Sequence, residues 1–205
     1  MTPLQLVLST RNDHKAREFG DLLAPHAVAP LPDAVVLPPE DGDTFAENAL
    51  GKARAAAAAL GVPAIADDSG IEAAALDGRP GVRSARFAGP DATDAENLSK
   101  LLREAPAGSA VAYVCAIAFV DPHDGTERVF EGRCTGTLDH DPRGTGGFGY
   151  DPAFVPDDPL ARDPAGADGR PRTMAQLSPQ EKASISHRGH AARLLLAWLD
   201  GRAAG

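Results

Sequence analysis

Ala110-Val111-Ala112-Tyr113-Val114-Cys115-Ala116-Ile117-Ala118-Phe119-Val120 is the most β-like run in the chain, and Glu127–Leu138 follows it across a turn containing Asp124-Gly125. Two long strands around a Gly-containing turn predict an antiparallel hairpin. Asp121 to Thr126 are too many residues for the tightest hairpin loop. Upstream, strand-like and helix-like segments alternate. Leu4–Ser9 is short and apolar, and a segment from about Asn12 to Leu23 carries Phe19, Leu22 and Leu23 at helical spacing. Pro30–Asp43 reads as an irregular, proline-rich and acidic connection around a short Ala34–Leu37 strand. Thr44-x-x-Glu47 is a capping box that opens an alanine-rich helix, stopped by Gly61 and Pro63. Pro63-Ala64-Ile65-Ala66 then reads as a buried strand ending in Asp67-Asp68-Ser69-Gly70. Parallel βα units followed by a hairpin predict an α/β fold, with a mixed central β-sheet flanked by helices, in a single domain spanning 1–205.

Downstream of the first half, Thr93-x-x-Glu96 opens a helix through about Leu102, and Ser178-Pro179-Gln180-Glu181 opens another. Pro156–Arg172 has no periodicity and reads as a mobile surface loop. The chain closes on an amphipathic helix containing Leu194, Leu195, Trp198 and Leu199, ended by Gly201.

Composition removes several function classes. The 205 residues are 43% hydrophobic and 24% charged, which suffices for a buried core. Twenty Lys plus Arg against twenty-nine Asp plus Glu give a formal charge of −9. That balance disfavours a protein that coats nucleic acid or anionic lipid. No apolar run is long enough to span a bilayer, and the N-terminus lacks the features of a signal peptide, so a cytoplasmic location is expected. Cys115 and Cys134 are too few for a disulfide framework or a four-ligand zinc site.

Four clusters could carry chemistry. Thr10-Arg11-Asn12-Asp13-His14-Lys15 lies where the first strand turns into the first helix. Orphan N–H groups and the positive dipole end welcome phosphate there, although by itself the segment is better explained as an ordinary cap with Thr10 or Asn12 as N-cap. Asp67-Asp68-Ser69-Gly70 places two carboxylates side by side, an arrangement relieved by a cation such as Mg²⁺, though it is also good turn composition. Glu40 could be a further ligand, or part of a solvated acidic run. Gly144-Thr145-Gly146-Gly147-Phe148-Gly149 matches Gly-x-Gly-x-x-Gly, but Tyr150-Asp151-Pro152 follows instead of a helix, so a dinucleotide fold is rejected. The glycines would let backbone pass close to a flat ligand, with Phe148 or Tyr150 as a stacking surface and Asp151 accepting from a base edge. Lys182, His187 and Arg188 form a local donor cluster in an acidic protein. No Gly-x-Ser-x-Gly elbow and no zinc spacing occur.

Taken together and in order, these stretches resemble the inosine triphosphate pyrophosphatase (Ham1-like) family. The resemblance is carried by Ser9–Lys15, Thr44–Ala49 with Lys52-Ala53, Ile65–Gly70, Pro80–Phe87, Gly146–Pro152 and Ser186–Gly189. It implies hydrolysis of ITP, dITP and XTP to the monophosphate and pyrophosphate, with Mg²⁺, by a homodimer whose two lobes flank a cleft. Its partners would be small nucleotides, with no nucleic-acid polymer and no membrane. Thr10, Asn12 and Lys15 then resemble triphosphate ligands, with Lys52 a further phosphate contact. Arg11, Asp13 and His14 stand in the same substrate-binding motif. Asp68 resembles the general base and a metal ligand, with Asp67 and Glu40 beside it at the metal, and Ser69 touches substrate. Phe148, Gly149, Tyr150 and Asp151 resemble the base-binding loop, and Lys182, His187 and Arg188 the contacts that select a 6-oxo purine. A pocket of donors aimed at O6 would be left unpaired opposite a 6-amino group, a heavy cost in a buried site.

Two positions depart from the family pattern. Arg11 stands where the family usually has Gly, so either the close approach to phosphate is altered or Arg11 points away. Gln176 stands where Glu is common. Two other functions remain open on these residues: a non-catalytic Mg-nucleotide sensor, and a pyrophosphatase for other modified nucleotides. A Nudix enzyme needs an Arg-Glu-x-x-Glu-Glu helix that this chain lacks.

Overall fold

The computed structural model describes residues 3–162 and 168–203, with the side chains of Asp13, His14 and Ala203 excepted. Six strands form one sheet: β1 (Gln5–Leu8), β2 (Ala27–Pro30), β3 (Ala64–Ala73), β4 (Ala110–Asp121), β5 (Thr126–Leu138) and β6 (Phe154–Pro156). Their order is β2-β1-β3-β4-β5-β6. β1 pairs in parallel with β2 (Leu6↔Val28) and with β3 (Leu8↔Ile65), whereas β5 and β6 are antiparallel (Thr137↔Val155). β4 and β5 are neighbours joined by the turn that Gly125 N–H closes onto the Asp121 carbonyl at 3.0 Å. So short a link permits only an antiparallel return. The sheet is therefore mixed, as the hairpin after parallel units predicts.

The chain clusters into two compact units, one of Met1–Asp68, Cys115–Gly132 and Arg188–Gly205, the other of Ser69–Val114 and Arg133–His187. In the first, Leu6, Leu8, Ile65, Phe119, Leu195 and Leu199 are buried together, each apolar side chain contributing about 1.5–3 kcal/mol. Helix α1 (Asp13–Leu22) adds Phe19 to that core, and α5 (His187–Ala203) adds Leu195 and Leu199. Helix α2 (Phe45–Leu60) is opened by the Thr44/Glu47 capping box and ended by Gly61, whose φ of 65° only glycine adopts freely. The buried positions of α2 recur at helical spacing: Phe45, Asn48, Ala49, Lys52, Ala53, Ala56 and Ala57. Two polar residues on an otherwise apolar stripe must find buried partners.

The second unit is cored by Ile71, Leu101, Tyr113, Tyr150, Phe154 and Met174. Its helices α3 (Asp94–Glu104) and α4 (Pro179–Ile185) both start on the expected capping boxes, from Thr93 and Ser178.

Several local expectations are corrected. Ala34–Leu37 forms no strand, and β2 lies earlier, at Ala27–Pro30. The carbonyls of Leu31, Pro32, Asp33 and Val35 accept from the Arg11 guanidinium and are not free for a ladder. β3 does not end at Asp67 but runs unbroken through Asp67-Asp68-Ser69-Gly70 to Ala73, which removes the turn alternative. The last helix passes through Gly201 to Ala203, and Leu194 on it is exposed. Residues 163–167 of the aperiodic 156–172 stretch lie outside the described residues. Its flanks are pinned: Pro156 belongs to β6, and Arg172 N–H donates to the Ala161 carbonyl. No helix among the described residues is long and apolar enough to cross a membrane.

Candidate active site

Successive residues of a strand project to opposite faces, so Asp67 and Asp68 leave β3 in opposite directions. Asp67 is fully buried, and its Oδ2 lies 2.9 Å from Lys15 Nζ and 3.6 Å from Arg188 Nε. Burial works against its charge, yet Lys15, Arg188 and Lys52 outweigh burial and hold the carboxyl well below the usual range. Arg188, itself 1% exposed, also donates through NH1 to Glu18 Oε2 at 2.6 Å and lies over the Phe19 ring. Glu18, half-buried on α1, carries no sequence motif, and only the fold reveals it as the second carboxylate of Arg188.

Asp68 belongs with α2. Asn48 Nδ2 donates to Asp68 Oδ2 at 2.9 Å, while Asn48 Oδ1 accepts from Gly42 N–H at 2.9 Å. A Cβ at Gly42 would meet Asn48 Oδ1 at 2.8 Å, so the approach depends on glycine there. Burial raises the Asp68 pKa, Lys52 and Asn48 work against that rise, and Glu40 adds to it. Lys52 Nζ donates to the Asp67 carbonyl at 2.7 Å and to Glu40 Oε1. Burial disfavours the ammonium, but Asp67, Glu40 and Asp68 together raise its pKa, so it stays charged. Ser9 Oγ donates to the Lys52 carbonyl at 3.0 Å and ties α2 to the end of β1.

The α1 entry is built as a cap. Asn12 Oδ1 accepts from Lys15 N–H at 3.1 Å, and Thr10 Oγ1 accepts from Asn12 N–H at 3.2 Å. Arg11 turns away from this cap. Its guanidinium donates to the 31–35 segment, including Val35 O at 2.9 Å and Asp33 Oδ1 at 3.2 Å. That settles which of the two expectations for Arg11 holds. The side chains of Asp13 and His14 lie outside the described residues.

The expected metal trio of Glu40, Asp67 and Asp68 does not assemble. Among the described residues no three His, Cys, Asp or Glu side chains converge on a metal position, because the strand pleat sends Asp67 toward Lys15 and Arg188. Glu40 and Asp68 remain as hard oxygen donors around Lys52, a set that suits Mg²⁺, which needs only one or two carboxylates when phosphates complete its shell.

A second group forms in the other unit around Asp151. Its Oδ2 accepts from Lys182 Nζ at 2.6 Å and Phe148 N–H at 3.0 Å, and its Oδ1 accepts from Tyr113 OH at 3.0 Å. A Cβ at Gly147 would collide with the Asp151 carboxylate, and its φ of 74° is left-handed, so the loop requires glycine on both counts. Gly146 N–H donates to the Ala175 carbonyl, and Gly149 N–H to Asp94 Oδ2 at 2.9 Å. Lys182 Nζ sits 4.9 Å from the Phe148 ring centroid. Phe148 is exposed and offers a face, but Tyr150 is buried with its OH on the Ser84 carbonyl and is no stacking surface. His187 stacks on Tyr113, with centroids 4.7 Å apart and planes 12° apart. Arg188, expected among the base contacts with Lys182 and His187, pairs with Asp67 and Glu18. Ser69 is half-buried on β3 directly after Asp68. Gln176 Oε1 accepts from Thr173 N–H and from Arg143, a capping role that answers its departure from the usual Glu.

Tyr113, Asn48 and Glu18 were not among the expected site residues. Asn48 had a readable signal, a polar side chain on the buried stripe of α2. Tyr113 had none beyond its place in a strand.

Known proteins resemble this chain over nearly its whole length. The Ham1 family model matches residues 6–198. A dITP/XTP pyrophosphatase of Streptomyces coelicolor is 45% identical, with 94% of this chain and 95% of that protein covered. Another, from Symbiobacterium thermophilum, is 48% identical over 93% of this chain and 92% of its own length. Among solved structures, a HAM1 protein from Coxiella burnetii superposes with a TM-score of 0.81 at 38% identity, covering 97% of this chain and 99% of that one. The Staphylococcus aureus Ham1 protein gives 0.81 at 36% identity with the same coverage. Both the matched length and the identity are far beyond what a shared fold alone would give, and the chain belongs to the Ham1 family.

Proposed function

We propose that this protein hydrolyses deaminated purine nucleoside triphosphates, dITP, XTP and ITP, to the nucleoside monophosphate and pyrophosphate. The observation that carries the reading is Asp68: a buried carboxylate with raised proton affinity, held by Asn48 beside the Lys52 ammonium. That is an environment suited to a general base. The relatives from Streptomyces coelicolor and Symbiobacterium thermophilum are dITP/XTP pyrophosphatases, which supports the substrate class.

In this reading Asp68 takes the proton from the attacking water. Lys15, Lys52 and the N–H groups at the start of α1, with Thr10 and Asn12, hold the triphosphate and offset the charge that develops as pyrophosphate leaves. Asp67 keeps Lys15 and Arg188 in place. Glu40 and Asp68 would hold a divalent cation, Mg²⁺ in this proposal, which when bound supplies charge neutralisation of phosphate oxygens. Around Asp151, Phe148 offers the purine a stacking face, while Lys182 and His187 supply donors for a 6-oxo edge. Donors placed for O6 reject adenine because its 6-amino group leaves them unpaired. Ser69 is assigned to substrate contact. The proposal also takes residues 1–205 as one functional domain and the working form as a cytoplasmic homodimer, on the strength of the family resemblance.

Product analysis tests it. Incubation with XTP and Mg²⁺ should give XMP and pyrophosphate in equal amounts. Formation of XDP and orthophosphate, or tight Mg-XTP binding without turnover, would overturn the reading in favour of a different cleavage or a sensor.

A further inference from the structure

One side chain of β4 touches two of the groups assigned above to the purine. Tyr113 is 7% exposed, its OH donates to Asp151 Oδ1 at 3.0 Å, and its ring stacks on the His187 imidazole at 4.7 Å. Phe154 closes another side of the ring at 4.6 Å. Asp151 has only one other oxygen, and that oxygen carries both Lys182 Nζ and Phe148 N–H. The phenol behind the carboxylate therefore holds Oδ1 while Oδ2 faces Lys182 and Phe148. His187 and Asp151 lie on different segments, the start of α5 and the turn after the glycine loop. Tyr113 is the shared neighbour that sets both.

We infer that Tyr113 is a positioning residue for purine recognition, aligning Asp151, and through it Lys182 and Phe148, together with His187. The inference rests on the functional reading above, in which these groups meet the base. Tyr113 does not touch the reacting phosphates, so its contribution belongs to binding and base choice rather than to bond cleavage. Its phenol is suited to a fixed donor role: burial and the adjoining Asp151 push its pKa well up, so the proton stays on oxygen throughout the working range. A charged acceptor makes this hydrogen bond stronger than a neutral one.

Tyr113→Phe removes the donor and keeps both ring contacts. The expected result is a KM for XTP raised about tenfold with kcat within twofold of wild type, and a reduced preference for XTP over ATP. The inhibition constant of inorganic tripolyphosphate, which has no base, should stay unchanged, because a merely structural lesion would weaken both ligands. A double-mutant cycle with Asp151→Asn adds a second readout. The double variant should be no worse than Asp151→Asn alone, since the phenol acts through that carboxylate. An unchanged KM for XTP, an equal loss of tripolyphosphate inhibition, or additive effects in the cycle would each overturn the inference. Wild-type protein that releases no pyrophosphate from XTP or dITP would instead overturn the functional reading, and the inference with it.

Discussion

Asn48 on α2 and Asp68 on β3 meet through one buried hydrogen bond of 2.9 Å, twenty residues apart in sequence. The contact matters because burial raises the Asp68 pKa and Asn48, with Lys52 and Lys15, works against it. Asn48→Ala should therefore raise that pKa further. A base acts only when deprotonated, so the acidic limb of the pH–rate profile should move to higher pH. Activity at neutral pH should fall about ten- to a hundredfold, in keeping with about 1.5–3 kcal/mol for a hydrogen bond to a charged group. Steady-state rates from pH 5 to 9 check this, and an unmoved limb would deny Asn48 its role.

Asp68→Asn keeps the shape of the side chain and its place beside Asn48 but cannot accept the proton. Turnover of XTP should drop by about 10²–10⁴, the usual worth of a positioned base, while the thermal midpoint stays within a few degrees. Near wild-type turnover would remove Asp68 from the base position.

Asp67 makes a separate statement about stability. Lys15 and Arg188 hold its folded pKa well below the ordinary value near 4. A depressed carboxylate contributes stability that is complete above its unfolded pKa and is lost as pH falls below it. Asp67→Asn leaves Lys15 without its carboxylate and Arg188 with Glu18 alone, which should cost about 3–5 kcal/mol at neutral pH. The variant should also lose less stability than wild type between pH 4 and 2. Urea unfolding at several pH values tests both, and parallel pH curves for the two proteins would contradict the account.

Arg11 distinguishes a structural from a ligand role. Arg11→Ala should free the 31–35 segment and cost about 1 kcal/mol, a modest figure because the guanidinium is 44% exposed and partly screened. Limited proteolysis should then cut within residues 31–43 more rapidly. A tenfold rise in KM for XTP with no change in proteolysis would return Arg11 to the substrate.

Local signals were legible where the physics is local. The Thr44/Glu47, Thr93/Glu96 and Ser178/Glu181 capping boxes stand where the spacing places them, because a cap needs only four neighbouring residues. Asp67-Asp68-Ser69-Gly70 has turn composition yet continues a strand, because its carboxylates are satisfied from Lys15, Asn48 and Arg188, far away in the chain. The placement of Arg188 with Asp67 and Glu18 was hidden for the same reason, and so was β2, a four-residue strand defined only by its pairing with β1. The chemistry of Asp68, Lys52 and Asp151 was readable as motif, but the partners that tune them, Asn48 and Tyr113, belong to the fold.

Base-selective pyrophosphate release is the central claim, and one panel measures it: initial rates with XTP, dITP, ITP, GTP and ATP, with Mg²⁺ and with chelator. The account expects pyrophosphate from XTP, dITP and ITP, kcat/KM for them at least about a hundredfold above that for ATP, whose 6-amino group leaves the O6 donors unpaired, and loss of activity with chelator. Equal rates on all five nucleotides, or none on XTP and dITP, would contradict it.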